Sequence, residues 1–252
     1  MTTDALSPPV LLGQAALFLD FDGTLVPLAP RPQDIQVPSW VVPVLDRLRL
    51  QLGGALAVVS GRPLAQIDAF LHPLRLPGAG VHGVERRLID GRVRVHAGMP
   101  PAAVLQAAQS LVELHPELML ERKPGGLALH YRGQPQLASL CRRTLESVVA
   151  EHDDWDVMPG DCVVEVKQSR VSKGAALRAF LAEPAFIGRV PVYVGDDVSD
   201  EDGIRQAQAS GGFGVKVGGN SSLAQYRLPD PQAVGRWLVV SAEAMQPFKE
   251  SA

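Results

Sequence analysis

Cysteine is scarce in this sequence of 252 residues, and so are clusters of basic residues. The two cysteines, Cys141 and Cys162, are too few for a disulfide framework or a zinc site, so we expect buried small side chains in a reducing compartment. Lys and Arg number 24 against 27 Asp and Glu, a net charge of −3 at pH 7. Phosphate-backbone binding needs clustered cations, so nucleic acid is not the expected partner.

Long apolar runs are also missing. No apolar stretch reaches the roughly 20 residues that a membrane helix requires. The N-terminal segment MTTDALSPPV lacks a basic region followed by an apolar core. We therefore expect a soluble cytoplasmic protein without a membrane partner. Its hydrophobic content of 46% is enough for a real core, in one large domain or two smaller ones.

Short apolar runs alternate with amphipathic segments through most of the chain. The predicted strands are ALFLD (16–20), GALAVVS (54–60), LPGAGVHG (76–83) and VPVYVGDD (190–197). The predicted helices span 39–51, 63–71, 172–182 and 200–209. Continuous apolar strands alternating with helices predict an α/β fold, a doubly wound, Rossmann-like parallel sheet covered on both faces.

The middle of the chain has a different pattern. VERRLIDGRVRVH (84–96) alternates charged and apolar residues around Asp90-Gly91, which indicates a tight hairpin. Helices at 101–115 and 136–150 then alternate with strands near 118–122, 126–132, 155–158 and 162–167. Antiparallel strands inside a parallel pattern predict a smaller α/β cap domain, 84–168, inserted into a core formed by 1–83 and 169–252.

The first predicted strand ends in two carboxylates. Asp20 closes it, Asp22 follows, Gly23 permits a turn and Thr24 adds a hydroxyl. Ligands of doubly wound sheets bind at the carboxyl ends of the strands. A carboxylate there can be a nucleophile, a ligand of a hard cation or a proton carrier. The alternative is a solvent-facing turn, where Asp-Gly is common.

Two further segments carry groups suited to phosphate. Ser60 and Gly61 offer a hydroxyl and an unobstructed N–H to phosphate oxygens, although a plain helix start before Pro63 is the stronger interpretation of this segment taken alone. Ser172 is predicted to cap the next helix, with Lys173 in its first turn. A lysine there opposes the helix dipole, which makes sense where an anion is bound.

The segment GDDVSDED places five acidic residues within seven positions. Acidic residues in a first helical turn are ordinary, and that interpretation is applied to 200–202. Asp196 and Asp197 instead fall at the strand end, where repulsion between carboxylates calls for a cation. Acid, hydroxyl, lysine and acid on four segments form a far more specific pattern than any one of them.

These segments resemble a known superfamily. DFDGTL, VVSGRP, Lys173 and GDDVSDED are similar, in order, to the four motifs of the haloacid dehalogenase-type phosphatases. GVHGVERR, LALHYR, CVVEVK and SKGAAL further resemble the bacterial trehalose-6-phosphate phosphatase family. The likeness covers roughly residues 15–240 and is weakest around 97–120.

The resemblance implies a role for each matching residue. Asp20 is the implied nucleophile, which forms an aspartyl-phosphate, and Asp22 the implied general acid and base. Mg²⁺ is the implied cofactor, held by the Asp20 and Asp196 carboxylates and the Asp22 carbonyl, with Asp197 holding a metal-bound water. The groups implied for the phosphoryl oxygens are Gly23, Thr24, Ser60, Gly61 and Lys173.

The implied partner is a small sugar phosphate, with a trehalose-6-phosphate synthase as a functional neighbour. The matching sugar-reading positions in the cap are Lys123, Arg132, Glu165 and Lys167, and further candidates beside it are Arg62, His82, Glu85 and Arg86. Glu165 and Lys167 are two residues apart on one strand and so share a face, although a solvated charge pair explains them equally. KPGG at 123–126 departs from the family pattern, which puts the geometry of Lys123 in doubt.

Three alternatives stay open. The first is a phosphatase of the same superfamily acting on a sucrose-type or mannosyl-type phosphate. The second is a phospho-accepting signalling module, which also uses acids, a hydroxyl and a lysine, but needs no cap and carries its acceptor on a middle strand. The third is a binding protein without activity, for which the Asp20 and Asp22 pair is unnecessary.

Overall fold

A computed structural model describes residues 6–29, 31, 34–95, 98–123, 125–160, 162–169 and 171–245. His96 of the predicted hairpin and Pro124 of the KPGG segment lie outside these ranges. The chain divides into two compact units, the first running up to Arg94 and resuming at Ser172, the second spanning Val95–Val171. Among the described residues, no helix has both the length and the apolar character of a membrane span.

The elements follow in chain order. The strands are β1 (Ala15–Leu19), β2 (Leu56–Val59), β3 (Gly78–Gly80), β4 (Glu85–Arg87), β5 (Val93–Val95), β6 (Met119–Lys123), β7 (Gly126–His130), β8 (Trp155–Gly160), β9 (Val163–Gln168), β10 (Val190–Gly195), β11 (Phe213–Val217) and β12 (Tyr226–Leu228). The α-helices are α1 (Val41–Gln51), α2 (Leu64–Phe70), α3 (Ala102–Leu114), α4 (Ala138–Val149), α5 (Lys173–Leu181), α6 (Asp200–Ala209) and α7 (Pro231–Ala244).

The first unit is built on one mostly parallel sheet. Its strand order is β12-β11-β10-β1-β2-β3-β4-β5, and the strands from β12 to β3 all run parallel. β1 lies in the middle, between β10 and β2, and every residue of AALFL is buried. The predicted doubly wound α/β core is confirmed. Because the strands are parallel, the residues that follow β1, β2 and β10 meet at one edge of the sheet.

Aromatic packing holds helix α5 against the middle of this sheet. The Phe18 ring lies 6.0 Å from that of Phe180 and 5.5 Å from that of Phe186, centroid to centroid, and all three side chains are buried. Full burial of one such side chain contributes about 1.5–3 kcal/mol. Ser172 caps α5, as predicted, by accepting a hydrogen bond from the Ala175 N–H. This packing places Lys173, the first residue of α5, below the end of β1.

The hairpin around Asp90-Gly91 forms, but it extends the sheet of the first unit. The second unit therefore starts at Val95 and not at the predicted 84. Charged residues of β4 anchor the hairpin to the first unit. Arg87 is buried, donates to both oxygens of Asp68 at 2.6 Å, and also donates to the Leu76 carbonyl.

The second unit is an antiparallel sheet of order β6-β7-β9-β8 with α3 and α4 packed on one face. Leu127, Leu129, Val164 and Val166 point into that packed face. Because side chains alternate along a strand, the residues between them form an opposite face that these helices do not cover.

The two cysteines differ in their surroundings. Cys141 lies in the packed core of the second unit, as predicted. Cys162 is only half-buried, in the turn between β8 and β9 with a positive φ of 56°, so its predicted burial is wrong. Its tight-turn conformation explains the difference, because turn residues face solvent on at least one side. Neither cysteine is part of a disulfide bond among the described residues.

Candidate active site

A buried lysine joins two carboxylates at the end of β1. The Lys173 ammonium lies 2.8 Å from an Asp20 oxygen and 2.6 Å from an Asp200 oxygen. All three side chains are buried, so these are charge-assisted contacts in a medium of low dielectric. Burial alone would lower the pKa of Lys173, but the two carboxylates raise it above its ordinary value. Lys173 therefore stays charged beside Asp20.

Asp200 is the residue that sequence reasoning missed. The sequence pattern predicts an ordinary acidic helix start for it, and that prediction is wrong. Its side chain is fully buried, accepts a hydrogen bond from the Tyr193 hydroxyl at 2.8 Å, and accepts from the backbone N–H groups of Asp196 and Asp197 at 3.1 and 2.9 Å. Asp200 thus positions both Lys173 and the loop that carries Asp196. No local signal marks Asp200 in the sequence, because an acid in the first turn of a helix is ordinary.

The two acids that follow also bind outside their own helix. Glu201 accepts from the Leu223 N–H at 2.9 Å and lies 3.5 Å from the Lys216 ammonium. Asp202 accepts from the Gly174 N–H, at the start of α5, at 3.0 Å. Capping preferences consider only the local chain, and so they did not show these partners on other elements.

Three carboxylates at this edge are close enough to share one cation. Oxygens of Asp20, Asp196 and Asp200 lie within 4.8 Å of one another. Their formal charge of −3 is offset by +1 from Lys173, so a charge of −2 remains in a largely buried site. Burial raises the pKa of Asp20 above its ordinary range, with Asp200 adding to the rise and Lys173 opposing it. Hard oxygen donors and excess negative charge suit a divalent cation such as Mg²⁺.

The turn after β1 is shaped to admit Asp196. Gly23 has a positive φ of 75°, and a Cβ there would lie 2.1 Å from an Asp196 oxygen. Any larger residue would push the carboxylate away, so Gly23 is required by both its conformation and its small size. The Asp197 side chain, by contrast, is exposed and lies outside the three-carboxylate group.

The excess negative charge at this site predicts that the stability of the folded protein depends on pH in an unusual way. Burial, followed by the nearby charges of Asp200 and Asp197, raises the pKa of Asp196 from 3.8 to about 6. Between those values the folded chain binds more protons at this residue than the unfolded chain does. Stability of the metal-free protein should therefore fall as pH rises through that window. Thermal unfolding in EDTA between pH 4 and 7 measures the slope.

The matched control for this prediction is a pair of Asp→Asn variants. Asp196→Asn should flatten the fall in Tm, whereas the same change at the exposed Asp197 should leave it in place. Equal slopes in wild type and Asp196→Asn would show that the raised pKa of Asp196 has no effect on folding.

Two hydroxyls lie at the same edge of the sheet. Thr24 is fully buried, and its hydroxyl has no hydrogen-bond partner among the described residues. A buried polar group without a partner is costly, so a ligand oxygen is a fitting partner. Ser60 is also buried, and its oxygen accepts from the Arg62 N–H at 3.1 Å.

A strained turn supports the Ser60 loop. Val81 and His82 both have positive φ, 49° and 55°, which is rare for residues other than glycine and especially for valine. Their N–H groups donate to the Arg62 and Ser60 carbonyls, each at 3.0 Å. The His82 ring lies over Gly61, where an added Cβ would be 2.8 Å from it. His82 therefore acts as scaffold for this loop.

Asp22 lies two residues beyond Asp20 and is paired with Arg62. Both of its oxygens accept from the guanidinium, one from Nε at 2.6 Å and the other from Nη2 at 2.8 Å. The Asp22 side chain is 28% exposed, so it remains accessible from solvent, whereas that of Arg62 is 11% exposed. The sequence predicts Arg62 only as a candidate reader of sugar, so its contact with Asp22 is a finding of the structure.

The other two candidates considered near the cap boundary have structural partners. The Glu85 carboxylate accepts from the Leu64 N–H, at the start of α2, at 2.8 Å. Arg86 is buried, lies 3.3 Å from the Glu183 carboxylate, and packs over the Phe180 ring. Both side chains therefore anchor β4 to the first unit.

In the second unit, three of the four sugar-reading candidates lie together. In register across the sheet, Lys123 and Lys167 lie on either side of Gly126 and face the same way. The Lys123 ammonium reaches the Glu165 carboxylate at 2.5 Å. Arg132 is exposed in the turn beyond the opposite end of β7, so it does not join this group.

The glycines of the KPGG segment explain how Lys123 keeps its place. Gly125 takes the positive φ of 75° that the hairpin between β6 and β7 requires. A Cβ at Gly126 would lie 2.2 Å from the Val166 carbonyl oxygen, so only glycine fits between the strands. Lys123 therefore ends β6 in register, despite the departure from the family pattern.

A central parallel strand ending in a buried aspartate, with a lysine and further carboxylates around it, is the arrangement expected of an α/β phosphatase of the haloacid dehalogenase type. The fold is similar to that of a Bacteroides thetaiotaomicron phosphatase of the haloalkanoate (HAD) enzyme superfamily, with a TM-score of 0.61 at 15% identity, covering 94% of this chain and 98% of that one.

Within that class the assignment is narrower. The family model described as trehalose-phosphatase matches residues 18–232, and the chain belongs to that family. It is 36% identical to the trehalose-6-phosphate phosphatase of Escherichia coli (strain K12), over all of this chain and 95% of that one. A solved structure of Aspergillus fumigatus trehalose-6-phosphate phosphatase is also similar, with a TM-score of 0.72 at 28% identity, covering 90% and 92% of the two chains.

Proposed function

We propose that this chain is an Mg²⁺-dependent phosphatase that hydrolyses trehalose 6-phosphate to trehalose and phosphate through an aspartyl-phosphate on Asp20. The observation that carries the proposal is the buried Lys173 ammonium between Asp20 and Asp200 at the end of β1. Family membership and the 36% identical Escherichia coli relative support the choice of reaction and substrate.

The first step is phosphoryl transfer to Asp20. A carboxylate oxygen of Asp20 forms a bond to phosphorus while the bond from phosphorus to the sugar oxygen breaks. Asp22 gives a proton to that oxygen, so neutral trehalose leaves. Lys173, 2.8 Å from Asp20, offsets part of the negative charge that gathers as two anions approach.

The second step regenerates the enzyme. Asp22, now a carboxylate, takes a proton from a water molecule, and the resulting oxygen attacks phosphorus. The bond between phosphorus and the Asp20 oxygen breaks, which releases phosphate and restores the Asp20 carboxylate. One residue thus serves first as acid and then as base.

Mg²⁺ would be held by the Asp20 and Asp196 carboxylates and the Asp22 carbonyl, and when bound it supplies positive charge that lets an anionic nucleophile approach an anionic phosphate. Asp200, the third carboxylate of the group, is bound by Lys173 and Tyr193, so its role is to orient Lys173 and the Asp196 loop. The exposed Asp197 would contact the ion only through water.

The phosphoryl oxygens would be bound by groups already facing this edge. The buried Thr24 hydroxyl lacks a partner among the described residues, and Ser60 uses its oxygen as an acceptor and keeps its proton for donation. The backbone N–H groups of Gly23 and Gly61 would complete the set, together with Lys173.

We propose that the second unit is the cap predicted from the sequence and that it recognises the sugar. Lys123, Glu165 and Lys167 lie on the sheet face opposite its packed core, where their charges can bind hydroxyls of a disaccharide. Arg132 is retained as a proposed reader, although it lies at the other end of β7. We further propose a cytoplasmic location and a synthase of trehalose 6-phosphate as the source of substrate.

The direct test is phosphate release from a panel of substrates. The purified chain is assayed with trehalose 6-phosphate, sucrose phosphate, mannosyl phosphates and p-nitrophenyl phosphate. The highest kcat/KM among the sugar phosphates should belong to trehalose 6-phosphate. A clear preference for another sugar phosphate would keep the chemistry and overturn the substrate.

Substitutions in the second unit test where the sugar is read. We expect Glu165→Ala and Lys167→Ala each to lower kcat/KM for trehalose 6-phosphate about 10- to 100-fold, since a charge-assisted hydrogen bond contributes roughly 1.5–3 kcal/mol. Hydrolysis of p-nitrophenyl phosphate, which has no sugar hydroxyls, should change little. Steady-state kinetics on both substrates measure the difference.

Two control variants make that result interpretable. Glu146→Ala removes a carboxylate from α4 of the same unit and should affect neither substrate, since its partner is Arg142 on the same helix at 3.6 Å. Lys173→Ala should reduce both activities together, because it acts on the phosphoryl group. Equal losses on both substrates for the Glu165 and Lys167 variants would mean that these two residues are structural.

A further inference from the structure

Arg62 holds the Asp22 carboxylate in a two-point contact. Nε and Nη2 of the guanidinium donate to different oxygens of Asp22, at 2.6 and 2.8 Å. A carboxylate bound at one oxygen can still rotate, but one bound at both oxygens by a planar fork cannot rotate without losing a contact. The pair therefore determines the orientation of Asp22 and not only its charge.

The guanidinium is itself held in place. Its Nη1 donates to Gln66 on α2 at 3.2 Å, and its Cζ lies 5.1 Å from the centre of the Phe70 ring. The Phe70 ring in turn stacks on Phe21, the residue between the two aspartates, at 5.6 Å. Arg62 is thus supported on a face and an edge by residues that do not belong to the phosphate site.

The backbone of Arg62 is tied to the phosphate loop. Its N–H donates to the Ser60 oxygen at 3.1 Å, and its carbonyl accepts from the Val81 N–H at 3.0 Å. Its side chain extends from that loop to the end of β1 and reaches Asp22. One residue therefore connects the loop proposed to bind phosphate with the group proposed to move the proton.

We infer that Arg62 is a positioning residue for Asp22: its guanidinium orients the carboxylate that protonates the leaving sugar oxygen, and it does not bind the phosphoryl group itself. This inference rests on the proposed function, since it assumes that Asp22 is the proton carrier. If Arg62 acts through Asp22, the loss of activity on removing Arg62 should depend on whether the leaving group needs a proton. An alkoxide leaves only with a proton, whereas p-nitrophenolate leaves without one.

The test uses two variants of Arg62 and two substrates. Arg62→Ala should lower kcat/KM for trehalose 6-phosphate about 10- to 100-fold, the usual cost of a small misplacement of a catalytic group. Loss of kcat/KM for p-nitrophenyl phosphate should be less than about threefold, because this parameter reports only the steps through the first phosphoryl transfer. Arg62→Lys, which keeps the positive charge but lacks the planar fork that contacts both oxygens, should fall between wild type and Arg62→Ala.

A double-mutant cycle with Asp22→Asn separates positioning from direct binding. If Arg62 acts through Asp22, adding Arg62→Ala to Asp22→Asn should change kcat/KM for trehalose 6-phosphate by less than about twofold. Inhibition by inorganic phosphate should be unchanged in all variants. The control is Arg49→Lys, which alters an arginine–aspartate pair on α1 whose two contacts, at 3.1 and 2.8 Å, go to one oxygen of Asp46, and which should leave both activities intact.

The outcomes distinguish the inference from the function on which it rests. Additive losses in the cycle, equal losses on both substrates, or weaker phosphate inhibition in Arg62→Ala would show that Arg62 binds substrate, and would overturn the inference alone. Wild-type kinetics in Arg62→Ala would do the same. Full activity of Asp22→Asn would overturn the proposed proton carrier, and the inference with it. Thermal unfolding of each variant establishes that the kinetics are those of folded protein.

Discussion

Replacing Asp20 with Asn is expected to abolish both phosphate release and the covalent phosphoenzyme. The amide has nearly the same shape as the carboxylate but no nucleophilic oxygen, so the first bond to phosphorus does not form. The measurement is acid quenching during turnover, followed by detection of phosphate bound to the protein. Wild type should show a phosphorylated Asp20, and Asp20→Asn none.

Loss of folding should not explain that result. Burial already raises the pKa of Asp20, so removing its charge relieves an unfavourable interaction, and Lys173 keeps Asp200 as a partner. The Tm of Asp20→Asn should therefore equal or exceed that of wild type. Asp197→Asn, the same change at an exposed position, should retain most of the activity. A phosphoenzyme in Asp20→Asn would place the nucleophile on another residue.

Removal of divalent cations should lower activity by about as much as the Asp20→Asn substitution does. Asp20, Asp196 and Asp200 leave a charge of −2 at the site after Lys173 is counted, and a phosphate dianion would add to it. Without a cation, two anions must approach each other with little compensation, so activity in EDTA should be nearly absent. Mg²⁺ should restore it, and Ca²⁺ only poorly, because its looser coordination misplaces the attacking oxygen.

Binding of Mg²⁺ can be measured by thermal unfolding, without an activity assay. Mg²⁺ should raise the Tm of wild type, because a ligand that binds only the folded state stabilises it. The increase should be much smaller in Asp196→Asn and unchanged in Asp197→Asn. Full activity in EDTA, or an equal increase in Tm in all three proteins, would remove Asp196 from the cation site.

The parallel core was predictable because its signal is local. A strand buried on both faces must be apolar throughout, and AALFL is fully buried in the middle of the sheet. Asp20, Gly23 and Lys173 also stood out locally, since each contradicts what its neighbourhood prefers. A carboxylate ending a buried strand, a glycine in a turn and a cation at a helix start each call for a partner.

Asp200 and Arg62 were misjudged for one common reason. An acid in the first turn of a helix and an arginine before a proline satisfy ordinary local rules, so nothing in the sequence marks them. Their partners lie far along the chain, Lys173 for Asp200 and Asp22 for Arg62. Only the packing of α5 and α2 against the sheet shows which charge meets which.

The sequence by itself determined the fold class, the family and the order of the four motifs along the chain, since each of these is carried by motifs with local spacing. The tertiary structure decided that the hairpin of β4 and β5 extends the sheet of the first unit. It also decided that the carboxylates of Asp20, Asp196 and Asp200 lie close together. It also decided that Asp22 is held at both oxygens. The physical reason is that burial makes a charge depend on its partner in space, and partners far apart in the chain meet only once the sheet has formed.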